Sequence, residues 1–310
     1  MEKIKIGLFG VGYFGNFHLI NILKTRFELI GFYDSDVNKS ELISKKYGIS
    51  NFKNAFSLIE ECDAIDITTP TINHFKLIEK AIELGKHVFV EKPITTNYEE
   101  AMAIKEKSNY SDTIIQVGHI ERFNPVIQNL DLDEHQIINI EANRFSTYNT
   151  RGTDVSVVFD LMIHDIDIVL KLMGKNILNI NANGFKKYGS YPEFVSASLF
   201  FENGSKATLN ASIIHPYLER KMKIWTKEKY LELDLSKKHT EIFSLKNLPD
   251  NKMNILESKE SREYITNNSI LDELNEFYEC IVNGRMPRVS LSDGVDAIEV
   301  AEMINKKIKI

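Results

Sequence analysis

Ile4-Lys5-Ile6-Gly7-Leu8-Phe9-Gly10-Val11-Gly12-Tyr13-Phe14-Gly15 decides how the N-terminal part of the chain is read. Ile4–Phe9 is a short apolar run of strand length, and Tyr13–Lys24 reads as a helix, so the three glycines fall in a strand-to-helix turn. Gly10 permits the tight turn, Gly12 lets the backbone approach a pyrophosphate, and Gly15 lets helix and strand pack closely. The helix start adds unpaired N–H groups and a partial positive charge. An acidic residue is expected about 20 residues further on, at the end of the second strand. Asp34 stands there, in Gly31-Phe32-Tyr33-Asp34-Ser35-Asp36. Its carboxylate would accept ribose hydroxyls and repel a 2′-phosphate, and no Arg or Lys follows before Lys39, so the expected cofactor is NAD rather than NADP.

Outward from this turn the pattern repeats. Strands are expected at Phe27–Tyr33, Cys62–Thr68, His87–Val90 and Thr113–Val117, with helices at Asn38–Tyr47, Ile72–Leu84 and Tyr98–Lys107. Short apolar strands alternating with amphipathic helices imply an α/β class, a doubly wound parallel Rossmann sheet. After about residue 120 the grammar changes. One helix, Phe159–Met173, precedes β-rich sequence to about residue 245, and Asn203-Gly204 joins Phe194–Phe201 to Lys206–Ile213 as a hairpin. Pro249–Asn268 is polar, and two helices follow at Ile270–Val282 and Ser292–Lys306. The expectation is a Rossmann domain over 1–120 and an α+β domain with an open-faced antiparallel sheet over 121–310. Exposed Phe, Ile and Leu on that sheet would make it a contact between subunits, in a homodimer or homotetramer.

Composition narrows the function classes. With 43% hydrophobic and 26% charged residues the 310-residue chain is globular and long enough for two cores. A net charge of −6 argues against nucleic-acid binding, which needs a basic face. Cys62 and Cys280 match no metal or redox spacing, and the sequence carries no signal-peptide pattern and no apolar stretch of membrane-spanning length. A cytoplasmic location is expected.

Two further segments carry chemistry. His87-Val88-Phe89-Val90-Glu91-Lys92-Pro93 places Lys92 at the carboxyl end of a parallel strand, the edge where open α/β sheets bind ligands. Pro93 restricts Glu91-Lys92 to a turn and is a candidate for a cis bond. Near a nicotinamide, the lysine would hydrogen-bond the reacting hydroxyl. Phe159-Asp160-Leu161-Met162-Ile163-His164-Asp165-Ile166-Asp167 places Asp160 and His164 one turn apart on one helix face. The carboxylate fixes the imidazole, which can then accept a hydroxyl proton. A metal is not expected, because one His with carboxylates on different faces makes a poor zinc site. Asp165 and Asp167 read as capping or solvating residues.

At these segments the chain resembles the Gfo/Idh/MocA oxidoreductases, over nearly its whole length. The resemblance rests on Gly10–Gly15, on Thr69-Pro70-Thr71-Ile72-Asn73-His74, and on Gly85-Lys86-His87-Val88-Phe89-Val90-Glu91-Lys92-Pro93. It implies that Lys92, Asp160 and His164 are catalytic. It also implies that Gly10, Gly12, Tyr13, Phe14, Gly15, Asp34, Thr69, Pro70, Asn73, His74, Glu91 and Lys92 border the cofactor. Gly118-His119-Ile120-Glu121-Arg122-Phe123-Asn124-Pro125 and Asn143-Arg144-Phe145-Ser146-Thr147-Tyr148-Asn149-Thr150-Arg151 resemble the branch that oxidises C3 of UDP-N-acetylglucosamine or its uronic acid. Arg122, Asn124, Arg144 and Arg151 are then substrate-side candidates beside Lys92 and His164, the arginines gripping a diphosphate. A free-sugar or cyclitol dehydrogenase, and a non-catalytic NAD-binding sensor, are the alternatives.

Overall fold

The structure, a computed structural model, describes residues 3–132, 136–147, 156–246 and 255–310. Two compact units emerge, Met1–Ile120 with Asn268–Ile298, and Glu121–Asn267 with Glu299–Ile310. The break after Ile120 is where the sequence pattern changes. By its contacts, the segment 268–298 groups with the first unit rather than with the rest of 121–310.

In the first unit five parallel strands, β1 (Lys5–Phe9), β2 (Glu28–Tyr33), β3 (Ala64–Ile67), β4 (His87–Glu91) and β5 (Ile115–Gly118), lie in the order β2-β1-β3-β4-β5. Between them run α1 (Tyr13–Ile22), α2 (Val37–Tyr47), α3 (Ala55–Glu61), α4 (His74–Glu83) and α5 (Tyr98–Ser108). The alternation of side chains along β1 separates the two faces. Ile6 and Leu8 join a core with Leu19 and Ile22 of α1, whereas a side chain at Gly7 would strike Leu58 and Cys62 beside α3. The first face is completed by Leu274, Phe277 and Tyr278 of the returning helix. Helix starts follow their local sequence: Asp36, Asn54 and Asn97 each accept a backbone N–H at the start of α2, α3 and α5, a cap worth about 1 kcal/mol. The strand order reverses between β1 and β3, and such a switch point opens a ligand crevice at the carboxyl ends of the strands.

The second unit begins with the short α6 (Pro125–Gln128) and β6 (Ile137–Phe145), then a π-helical turn over Val158–Met162 leading into α7 (Ile163–Met173). β7 (Ile177–Phe185), β8 (Phe194–Phe201), β9 (Lys206–Ser212), β10 (Glu219–Thr226), β11 (Lys229–Asp234), β12 (His239–Lys246) and β13 (Ile255–Glu263) follow. The chain then forms α8 (Ser269–Asn283), which belongs to the first unit, and α9 (Leu291–Lys307), and ends on β14 (Ile308–Lys309). The nine strands run β13-β12-β11-β10-β6-β9-β8-β7-β14. Only the β6–β9 and β7–β14 pairs are parallel. Gly204 turns the expected hairpin with φ +83°, and Asn203 accepts the Ser205 N–H.

The two faces of β8 and β9 differ. Val195, Ala197, Leu199 and Phe201 on β8, and Ala207, Leu209 and Ala211 on β9, are buried within the unit itself. Their alternates are half-buried and mix Ser196, Ser198, Lys206, Thr208 and Asn210 with the aromatic Phe194 and Phe200. Most of the apolar content of these strands serves the unit's own core, while Phe194 and Phe200 stand on the other face. Among the described residues no helix is long and apolar enough to cross a membrane.

Candidate active site

The turn after β1 has the form its glycines imply. Gly10 adopts φ +91° and donates to the Tyr33 carbonyl at 2.8 Å. A Cβ at Gly15 would lie 2.0 Å from the Gly10 carbonyl oxygen, so helix and turn approach as only glycine allows. A Cβ at Gly12 would meet nothing within 4 Å. Gly12 is also the N-cap of α1 and supplies no side-chain cap, which leaves the helix's first N–H groups facing that open space. Tyr13 and Phe14, expected beside the cofactor, are exposed at the helix start.

Asp34 ends β2 as foreseen. Its Oδ2 accepts the Val11 N–H at 2.8 Å and its Oδ1 the Asp36 N–H at 2.9 Å. Lys39 folds back to within 4.0 Å of the same carboxylate, a cation the sequence reading had placed too far along the chain to matter. Gly10, Asp34, Thr69, Pro70 and Asn73 share a cleft of about 300 Å³ with Tyr33, Phe56 and Lys76. The Thr68 hydroxyl ties the end of β3 to the Phe9 and Gly10 carbonyls. His74 is buried, its Nδ1 3.0 Å from the Pro93 carbonyl and its Nε2 2.9 Å from the Thr69 carbonyl. Burial holds its pKa below the usual imidazole range, against the pull of those carbonyls. His74 thus joins the turn after β3 to the turn after β4.

At that second turn Lys92 is half-buried and the Lys92–Pro93 bond is cis. The Glu91 carboxylate points into the unit, accepting the Lys92 N–H at 3.3 Å through Oε2 and facing His18 Nε2 at 3.1 Å through Oε1. His18 Nδ1 lies 2.8 Å from Asp66 Oδ2.

In the second unit Asp160 lies in the π-helical turn and His164 in the first turn of α7. The expected continuous helix is therefore two kinds of helix, with the pair spanning their junction. A π turn closes i→i+5 bonds and rotates less per residue, so positions four apart come closer to eclipsing than in an α-helix. Ser156 accepts the Phe159 and Asp160 N–H groups through its carbonyl, and its hydroxyl donates to Asn305 on α9. Both Asp160 and His164 are half-buried.

Residues 4–119 match the family described as "Oxidoreductase family, NAD-binding Rossmann fold", and residues 139–309 match its "C-terminal alpha/beta domain". The chain belongs to the Gfo/Idh/MocA oxidoreductases. UDP-N-acetylglucosamine 3-dehydrogenase of Acidithiobacillus ferrooxidans is 31% identical over 76% of this chain and 75% of its own length. A solved structure of that enzyme superposes with a TM-score of 0.91 over 99% of this chain and 98% of the other, at 26% identity. The NAD(+)-dependent scyllo-inositol 2-dehydrogenase of Bacillus subtilis is 26% identical over 96% of this chain and 92% of its own.

The Gfo/Idh/MocA cofactor, NAD, fits the residues present. The open space at Gly12 takes a pyrophosphate, and the Asp34 carboxylate borders the cleft where an adenosine ribose would lie. The Thr69 hydroxyl oxygen is buried at the same cleft with no hydrogen-bond partner among the described residues. Chemically this family member is a dehydrogenase acting on CH–OH groups.

The substrate-side arginines are placed differently from expectation. Arg144, on β6, is 3% exposed; its Nε and Nη2 bond Asp165 at 2.9 and 2.8 Å and its Nη1 bonds Glu121 at 2.8 Å. Arg122 grips Asp167 in the same forked way, at 2.6 and 2.8 Å. Asp165 and Asp167 are therefore buried ion-pair partners rather than solvated caps. Asn124 is buried as the N-cap of α6 and donates to Glu121 and the Leu235 carbonyl. The arginine charge beside Glu121 outweighs its burial and holds that carboxyl below its usual range. Arg151 and Tyr148 lie outside the described residues.

Sequence reasoning missed His18, Asp66 and Glu273, all fully buried. The signal was available. Asp66 interrupts an otherwise apolar strand, and His18 and Glu273 sit on the inward faces of α1 and α8 beside Leu19 and Leu274.

Proposed function

We infer that this dehydrogenase oxidises a secondary hydroxyl of a sugar nucleotide, C3 of a UDP-N-acetylhexosamine, and that Lys92, Asp160 and His164 carry the reaction. The observation that carries this reading is the pairing of a glycine turn open at Gly12 with a lysine at the end of β4, in a chain similar to UDP-N-acetylglucosamine 3-dehydrogenase. Bound NAD supplies a hydride acceptor at nicotinamide C4. His164 takes the hydroxyl proton, Asp160 orients the imidazole, and Lys92 hydrogen-bonds the same oxygen. Proton removal accompanies hydride departure, because a free alkoxide is too costly at neutral pH.

For the nucleotide end, the cleft of about 520 Å³ in the second unit, lined by Tyr188, Ile214, His215 and Pro216, supports the reading. His215 stacks on Phe145 with ring centroids 4.5 Å apart, a flat platform suited to a base. With Arg122 and Arg144 engaged by carboxylates, Arg151 is the arginine retained for the diphosphate. A cyclitol substrate is the second reading, supported by the inositol dehydrogenase relative. The half-buried aromatic row Trp225, Tyr230 and Phe243, with centroids 5.0 and 5.6 Å apart on the sheet of the second unit, supports a homo-oligomer. The buried free thiols Cys62 and Cys280 are consistent with a reducing cytoplasm.

NADH formation should be fast with UDP-N-acetylglucosamine and slow with N-acetylglucosamine or scyllo-inositol. Lys92→Ala and His164→Ala should bind NAD normally yet lose roughly a hundredfold or more in kcat. Equal rates on the free sugar, or near-normal kcat in either variant, would overturn the corresponding part.

A further inference from the structure

Ala64 and Asp66 on β3, and Phe89 and Glu91 on β4, alternate onto the sheet face covered by α1 and α8. At the carboxyl end of that face His18, from α1, meets two carboxylates at once, Asp66 at 2.8 Å and Glu91 at 3.1 Å. Glu91 can turn inward because its neighbour on β5 is glycine: a Cβ at Gly118 would lie 2.9 Å from Glu91 Oε1. A third carboxylate, Glu273 of α8, has atoms within 4.8 Å of the His18 and Glu91 ligand atoms. Both Glu273 oxygens are buried without a hydrogen-bond partner among the described residues. Gln116 of β5 closes the group, donating to the Glu273 carbonyl at 2.9 Å.

Two buried acids and a half-buried third around one imidazole are an expensive way to hold two helices on a sheet, since a well-packed apolar cluster would do as well. Their position argues for a purpose. The same α1 that opens on the pyrophosphate turn carries His18 five residues after Tyr13, and Glu91 immediately precedes Lys92. Burial alone would discharge His18, but Asp66 and Glu91 outweigh it and hold the imidazole charged well above its usual range. Burial, then the nearby Glu91 charge, keeps Glu273 protonated well above the usual carboxyl range.

We propose that His18 is a positioning residue for Lys92: by holding Asp66 with one ring nitrogen and Glu91 with the other, it fixes the peptide that carries Lys92 to the helix that receives the cofactor pyrophosphate. This rests on the reading of Lys92 as catalytic, but its geometry is tested without substrate. Lys92 is observed by NMR after reductive ¹³C-methylation of the lysines, its signal assigned by loss in Lys92→Arg. The groups that face the cluster are Asp66 of β3, Glu91 of β4 and Lys92 directly after it, and Asp272 and Glu273 of α8.

In folded His18→Asn the Lys92 signal should shift and its titration midpoint move, while NAD affinity stays within about threefold. Where kcat is measurable with UDP-N-acetylglucosamine it should fall roughly 10- to 100-fold, the loss usual when a group that orients a functional side chain is removed. Should His18→Asn fail to fold, Asp66→Asn, which keeps side-chain volume, is read the same way. An unchanged Lys92 signal and titration in the folded variant overturns the proposal. So does a Lys92 signal that moves on dialysis against a chelator, which would make the cluster a metal site. Active Lys92→Ala would instead sink only the catalytic reading, since the NMR result stands apart from turnover.

Discussion

Asp34 shows how one carboxylate can set cofactor choice. It is already braced by the Val11 and Asp36 N–H groups, so it would meet a ribose in a fixed orientation, and a 2′-phosphate would have to approach this fixed charge. Asp34→Ala should weaken NAD binding by about 1.5–3 kcal/mol, the worth of a charged hydrogen bond. It should also improve NADP binding, because the carboxylate that would repel a 2′-phosphate is gone while the Lys39 cation, still paired with Asp36, remains. Fluorescence titration of both nucleotides checks this; an unaltered NAD:NADP ratio would remove Asp34 from the cofactor site. Arg144 teaches the converse. Its residue type suited a diphosphate, but the fold gives it Asp165 and Glu121 at hydrogen-bond distance. Arg144→Leu should cost about 3–5 kcal/mol of stability, because it strands two buried carboxylates. Denaturant melts should register that loss, and a KM effect on UDP-sugars without it would restore the substrate role.

The strand–turn–helix element β1–α1 was legible residue by residue, since each glycine has a distinct steric duty. Gly12 and Gly15 separate the two duties experimentally. Gly12→Ala has room for its methyl and should fold like the parent, yet bind NAD at least tenfold more weakly, because the methyl occupies the space of the pyrophosphate. Gly15→Ala drives its methyl into the Gly10 carbonyl and should lower the melting temperature before any ligand is added. Equal melting temperatures for the two variants would contradict this division. The helix that carries Asp160 and His164 was legible as a helix but not as a π turn joined to α7, because the spacing of side chains over one turn does not distinguish the two kinds of helix. The strand β13 fell in a stretch too polar to signal a strand; it exists through pairing with β12. Its side chains from Ser258 to Glu263 are all exposed and need no apolar pattern.

Across the molecule, the switch from alternating strands and helices to successive strands located the first boundary, because it reflects two ways of covering a sheet. The return of α8 to the first unit was not legible: its apolar stripe says that it packs, not on which sheet. That return brings Glu273 against His18 and Glu91, and with it a pH dependence of the fold. His18 is raised, so its contribution is complete below the ordinary imidazole pKa and is lost as pH rises through the folded value. Glu273 is raised too: the folded chain keeps a proton that the unfolded chain releases, so stability falls as pH climbs from the ordinary glutamate range toward the folded value. Glu121, depressed, acts oppositely, contributing above the ordinary range and failing as pH drops through its folded value. The first unit should therefore lose stability on the alkaline side. Each pH unit spent between the unfolded and folded values of Glu273 costs about 1.4 kcal/mol. Glu273→Gln keeps the shape of the neutral acid and has no proton to release. Its melting temperature should match the parent at acidic pH and exceed it increasingly at alkaline pH. Parallel melting curves across the whole pH range would mean that Glu273 ionises freely, and that its burial against His18 and Glu91 is not as the structure has it.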